Sequence, residues 1–224
     1  MKLSQNYKVI FFDLDGTLTD SCPGILNSVA YALEKLGEEV PPKNELLSFV
    51  GPPLIDEFKR KFNFSQEKAE EAVSKFREYF RDTGIFENTP YDGIKEVLSE
   101  LKQAGYVLAI ATSKPEEFAL RITKHFGLDE YFEFICGSTF DESRNKKHQV
   151  LEYAINEVTN TYNFSKNEML MFGDRHHDID GAKYNGIDSM GVLYGYGSEE
   201  ELRAAGAQYI AAGVSDIAAA LLCR

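Results

Sequence analysis

Five short apolar runs, each closing on polar residues, constrain the fold of this chain more than any other feature. They are Val9 to Phe12, Val107 to Ala111, Phe134 to Cys136, Met169 to Phe172 and Met190 to Leu193. Each is rich in branched or aromatic residues. Runs of this kind read as strands buried on both faces. Helical patterns lie between them. Residues 92–104 place Ile94, Val97, Leu98 and Leu101 on one face, and Gly105 follows as a stop signal. Val214, Ile217, Ala218, Leu221 and Leu222 mark an amphipathic helix near the C-terminus. Strand and helix in alternation predict an α/β fold, a Rossmann-like parallel sheet with helices on both faces.

Residues 19–86 break the alternation. They hold helical patterns and no convincing strand. Ile25, Leu26, Val29, Leu33 and Leu36 form one stripe, ended by Gly37. Ala69, Ala72, Val73, Phe76, Tyr79 and Phe80 form another, with Ser65 placed as its N-cap. Gly51-Pro52-Pro53 interrupts the pattern between them. This predicts a small all-helical domain over 19–86, inserted in a core made of 1–18 and 87–224. The aromatic set Phe76, Tyr79 and Phe80 reads as interior of the insertion. Glu199-Glu200-Glu201 reads as the first turn of a helix, where negative charge suits the dipole.

Bulk properties narrow the function. No run of eighteen apolar residues is present, so a membrane span is not expected. The polar N-terminal residues lack the apolar stretch of a secretory signal. Cys22, Cys136 and Cys223 are widely spaced and form no Cys-x-x-Cys pair, which suggests neither a zinc knuckle nor a disulfide framework. A cytoplasmic home is expected. With 24 basic and 36 acidic residues the net charge is −12, which argues against a nucleic-acid partner. The same charge repels anions, so any phosphate site must be made locally positive by a metal, a lysine or backbone N–H groups.

The strongest motif is Asp13-Leu14-Asp15-Gly16-Thr17, directly after an apolar run. In a parallel sheet the strand ends open on the crevice where ligands bind. Asp13 and Asp15 are one residue apart and can both face it, while Gly16 permits a sharp turn. Two aspartates would also suit an Asx turn, and the Gly-Thr that follows counts against that reading. A second group, Gly173-Asp174-Arg175-His176-His177-Asp178, follows the run Met169 to Phe172. Asp174 stands at the strand end and Asp178 one helical turn later, so both can face the same crevice. Several carboxylate oxygens suit magnesium rather than zinc. Thr112 and Ser113 end another strand. Lys146 and Lys147 precede the helical pattern Val150, Leu151, Ala154, Ile155. His176 and His177 read as a polar helix start, and nothing near Cys22 suggests a reactive thiol.

Paired aspartates, a hydroxyl, a lysine and a Gly-Asp pair at successive strand ends form an ordered set over nearly the whole chain. This set resembles the haloacid dehalogenase superfamily, with residues 19–86 resembling its helical cap. Asp13-Leu14-Asp15-Gly16-Thr17-Leu18-Thr19-Asp20-Ser21, Thr112-Ser113-Lys114-Pro115 and Gly173-Asp174-Arg175-x-x-Asp178 resemble its phosphoglycolate phosphatase branch.

The resemblance implies roles. Asp13 would attack phosphorus and form an aspartyl phosphate. Asp15 would protonate the leaving alcohol and then help activate water. Thr112 and Lys147, the latter chosen over Lys146 by its spacing to Val150 and Leu151, would hold phosphoryl oxygens. Mg2+ would sit among Asp13, Asp15 (through its carbonyl), Asp174 and Asp178. Gly16, Thr17, Ser21, Gly51 and Ser113 would contact substrate, and the loop Phe49 to Pro53 would approach the site. The implied activity is magnesium-dependent hydrolysis of a small phosphorylated metabolite, with phosphoglycolate and nucleoside monophosphates as leading substrates, by a monomer or weak dimer. The alternatives are phosphohexomutase-like transfer and a non-catalytic phosphate-binding protein. No arginine follows Gly51, where sugar-phosphate mutases of this kind tend to carry one, which favours hydrolysis.

Overall fold

A computed structural model describes residues 3, 6–141 and 143–222; Cys223 lies outside them. The chain divides into two compact units, Met1–Thr19 with Pro90–Arg224, and Asp20–Thr89.

The first unit is built on β1 (Val9–Phe12), β4 (Val107–Pro115), β5 (Phe134–Ser138), β6 (Met169–Gly173), β7 (Asp188–Val192) and β8 (Tyr209–Ala211). They form one sheet in the order β5-β4-β1-β6-β7-β8, and every pairing is parallel. All four residues of β1 are fully buried, as its unbroken apolar run requires. Its alternate residues Val9 and Phe11 join Ala109, Met169 and Met171 in one core cluster. That cluster is closed by Val150, Leu151, Ala154, Ile155 and Val158 of α6 (Lys147–Thr161). Phe12 faces the other way and stacks on Phe172, with ring centroids 5.1 Å apart. Each such side chain contributes about 1.5–3 kcal/mol when taken from water.

The chain grows outward from β1 through β4 to β5, then crosses back and grows through β6, β7 and β8. The strand order therefore reverses at β1, and the C-terminal ends of β1, β4 and β6 border the crevice where such sheets bind ligands. Helices α4 (Ile94–Gln103), α5 (Glu116–Phe126), α7 (His176–Asn185), α8 (Glu199–Ala205) and α9 (Val214–Leu222) complete the unit. The acidic run does open α8, where Ser198 Oγ accepts from the Glu201 amide.

Three details differ from the sequence reading. Thr112 and Ser113 do not end their strand. The β4–β5 register shifts between Ala111 and Pro115, and pairing resumes at Pro115 opposite Ser138. Leu193 lies beyond β7, which starts two residues before the apolar run, at Asp188. The edge strand β8 went unforeseen; at three residues it is too short to show a period. The Tyr7 hydroxyl, which donates to Asp188 Oδ2 at 2.5 Å, anchors the foot of β7.

The second unit holds α1 (Cys22–Lys35), a 3-10 segment at Lys43–Phe49, α2 (Leu54–Phe62) and α3 (Gln66–Asp82). Ser65 caps α3 by accepting from the Lys68 amide. Ile25, Leu26, Val29 and Leu33 are buried, as are Ala69, Ala72, Val73, Phe76 and Phe80. Tyr79 is only half-buried; its ring lies against Tyr31 and its hydroxyl donates to Glu87 at 3.0 Å. Where the chain passes between the units it forms two short strands, β2 (Thr19–Asp20) and β3 (Thr89–Pro90), which pair with each other.

Candidate active site

Asp13 is the first residue past β1. Its amide still donates to the Phe172 carbonyl, so the β1–β6 ladder fixes its backbone. The chain then wraps around the Leu14 carbonyl, which accepts from the amides of Leu18 and Thr19 at 2.9 and 3.0 Å. Gly16 makes this turn with φ +80, and a Cβ there would stand 2.3 Å from Asp174 Oδ2. Any side chain at this position would displace that carboxylate.

Asp174 follows β6 and is fully buried. Its Oδ2 accepts from the Tyr196 amide at 2.8 Å, and its Oδ1 lies 3.4 Å from Thr17 Oγ1. Asp178 sits in the first turn of α7. Its Oδ2 accepts from the Arg175 amide at 3.1 Å. Lys147, the first residue of α6, sends a buried ammonium between the two motifs. Nζ lies 2.8 Å from Asp13 Oδ1, 2.7 Å from Asp178 Oδ1 and 2.9 Å from the Ala111 carbonyl. Lys146 is exposed and occupies the N-cap position. Of the two lysines, Lys147 is the one that joins the aspartates.

One carboxylate oxygen from each of Asp13, Asp174 and Asp178 lies within 4.8 Å of the other two. Burial lifts the Asp13 carboxyl to about 6 even with the Lys147 ammonium beside it. Burial, then the charges of Asp178 and Asp13, raises the Asp174 carboxyl well above the usual range. Lys147 moves upward: burial disfavours its charge, but Asp13 and Asp178 outweigh that. Three carboxylates facing one ammonium leave negative charge uncompensated in a place water reaches poorly. An all-oxygen donor set with this deficit fits a hard divalent cation.

Asp15 lies outside this carboxylate group. Its Oδ2 pairs with Lys114 Nζ at 2.8 Å, and its Oδ1 is buried with no hydrogen-bond partner among the described residues. Thr112 is buried at the crevice, and its hydroxyl oxygen accepts from the Lys114 amide at 3.2 Å. Ser113 is exposed. Ser21 and Gly51 belong to the second unit, where Ser21 is buried and Gly51 takes φ +107. His176 lies against Glu201, with Nδ1 at 2.8 Å from Oε1.

Two neighbours of the site escaped the sequence reading. Lys114 stood in plain view within Thr112-Ser113-Lys114-Pro115. The Tyr196 amide belongs to the Gly-rich stretch Tyr194-Gly195-Tyr196-Gly197, a turn signal with no function attached to it.

Comparisons with known proteins identify the family. The haloacid dehalogenase-like hydrolase model matches residues 10–192. A 5'-nucleotidase from Pseudomonas aeruginosa is 44% identical over 198 residues, covering 88% of each chain. A phosphoglycolate phosphatase from Vibrio parahaemolyticus is 32% identical over 222 residues, covering 95% of each. The crystal structure of a predicted phosphatase from Clostridium acetobutylicum superposes with a TM-score of 0.89 at 44% identity, over 97% of this chain and 99% of that one. With this set of aspartates at the switch point of its sheet, the chain belongs to the haloacid dehalogenase-like hydrolases and is a phosphatase of phosphoric monoesters.

Proposed function

We propose that the chain hydrolyses nucleoside 5'-monophosphates with magnesium, through an aspartyl phosphate on Asp13. The observation that carries this reading is the meeting of Asp13, Asp174 and Asp178 within 4.8 Å beside a buried ammonium. Asp13, Asp174 and Asp178 would hold the cation, which when bound offsets charge on the phosphoryl oxygens.

The chain's own residues supply the rest. Lys147 and Thr112 bind phosphoryl oxygens as charge builds on them. An Asp13 oxygen attacks phosphorus, and the bond to the leaving oxygen breaks. Asp15 gives its proton to that oxygen, then takes one from the water that attacks the aspartyl phosphate. The water's oxygen leaves with inorganic phosphate and Asp13 is restored.

Nucleotides are preferred over phosphoglycolate because the 5'-nucleotidase relative shares 44% identity, against 32% for the phosphoglycolate phosphatase. Purified protein with magnesium should be assayed against nucleoside 5'- and 3'-monophosphates, phosphoglycolate and hexose phosphates. The 5'-monophosphates should give the highest kcat/KM. A higher value for phosphoglycolate would overturn the substrate. Turnover of no ester, with magnesium still bound, would turn the reading to a phosphate-binding protein.

A further inference from the structure

Lys114 is a buried ammonium that the steps above leave without a task. Its side chain is 6% exposed, and its Nζ lies 2.8 Å from Asp15 Oδ2. Taking a lysine out of water to this degree is costly unless its charge is matched. The backbone that carries it is braced on several sides. The Lys114 amide donates to Thr112 Oγ1 at 3.2 Å. Gly137 of the neighbouring strand packs so closely that a Cβ there would lie 2.7 Å from the Lys114 carbonyl oxygen and 2.5 Å from Glu116 Cα. Glu116 Oε2 accepts from the Gly137 amide at 3.1 Å and from the Arg144 guanidinium at 3.0 Å. Arg144 Nε donates to the Gly137 carbonyl at 2.9 Å. The β4–β5 register shift thus places one lysine at a fixed point beside Asp15.

We propose that Lys114 is a positioning residue for Asp15. Through Oδ2 it fixes the Asp15 carboxylate in the orientation from which that group gives a proton to the leaving oxygen and then takes one from water. This assignment rests on the reading of Asp15 as acid and base.

A group that positions the acid matters most when the leaving oxygen needs a proton. The test compares kcat/KM for p-nitrophenyl phosphate, a good leaving group, with that for a nucleoside 5'-monophosphate, whose alkoxide is a poor one. Lys114→Met should lose about tenfold more on the nucleotide than on the nitrophenyl ester, a part of the 10²–10⁴ that general acid catalysis supplies. Lys114→Arg should restore part of that difference. Asp15→Asn should show at least the same difference, and adding Lys114→Met to it should not widen the gap. Lys114→Gln replaces Lys114→Met if the latter does not fold. Equal losses on both esters, or a raised KM with an unchanged ratio between them, would make Lys114 a substrate-binding or structural residue and overturn the proposal. If Asp15→Asn shows the difference and the Lys114 variants do not, the positioning role alone fails. If Asp15→Asn shows none, the reading of Asp15 as the acid fails and the positioning role with it.

Discussion

Lys147 sets one positive charge against Asp13 and Asp178, at 2.8 and 2.7 Å. Two carboxylates about 4 Å apart repel by roughly 4 kcal/mol at an effective dielectric near 20, so the ammonium cannot be removed without consequence. Breaking a buried ion pair from one side costs about 3–5 kcal/mol. Lys147→Met should lower the urea unfolding free energy of the magnesium-free protein by about 3 kcal/mol, and magnesium should return part of it. A loss below about 1 kcal/mol would mean the pair is weakly desolvated. Asp13 and Asp15 should differ as variants. Asp13→Asn should abolish turnover, because an amide is a poor nucleophile. With p-nitrophenyl phosphate, whose leaving group needs little protonation, Asp15→Asn keeps much of the first step and loses the base for the second, so phosphate should accumulate on Asp13 as a hydroxylamine-sensitive adduct seen by intact mass. An adduct on any other residue would remove Asp13 as the nucleophile. Asp13 and Asp174 were legible because each directly follows an apolar strand. The partner of Asp15 was not, because Lys114 reaches it through a register shift that no hydrophobic pattern records.

The central strands were legible for a physical reason: β1 and β6 are buried at every residue, so polar side chains are excluded from them. Edge elements have no such constraint. The strand β8 pairs on one side only, and α2 carries Asp56, Glu57, Lys59, Arg60 and Lys61 among its nine residues, which masks its apolar side. The join between α8 and α7 is another contact that sequence periodicity cannot show. Glu201 Oε1 accepts from the His176 amide at 2.9 Å and from Arg175 Nε at 2.9 Å, capping α7 from outside. Burial works against the Glu201 carboxylate, but the His176 and Arg175 donors outweigh it and hold it at about 2, below the ordinary 4.5. A carboxylate with a depressed pKa contributes stability that is present above its unfolded value and lost as pH falls through its folded value. Glu201→Gln should therefore cost about 1.5 kcal/mol at pH 7, the low end for a hydrogen bond to a charged group because solvent screens this partly exposed carboxylate. The difference from the parent protein should shrink as pH drops from about 4.5 towards about 2. Urea titrations across that range measure it, and a difference that stays constant with pH would show that the charge on Glu201 is not what holds α7.

At the scale of the whole molecule, a net charge of −12 and a buried group of three aspartates pull in the same direction. Both are relieved by cations, but in ways that can be told apart. General screening depends on ionic strength and acts at a Debye length of about 8–10 Å near physiological salt. A site among Asp13, Asp174 and Asp178 is specific, saturable and present only in the folded chain. At one hundred times its dissociation constant, magnesium should add about 2.7 kcal/mol to the stability of the unit that holds the site. For a domain of this size that corresponds to a rise of roughly 5–10 °C in Tm. The chain has two compact units, so unfolding need not be a single transition. The magnesium shift should fall on the transition of the sheet-containing unit and leave that of the helical unit, Asp20–Thr89, nearly unchanged. Sodium chloride at matched ionic strength should not reproduce it. Asp174→Asn should abolish the shift, and because the variant also removes one of the repelling charges, its magnesium-free Tm should fall little or even rise. A shift that survives Asp174→Asn, or that sodium chloride matches, would mean that magnesium acts on the overall charge and not at the three aspartates.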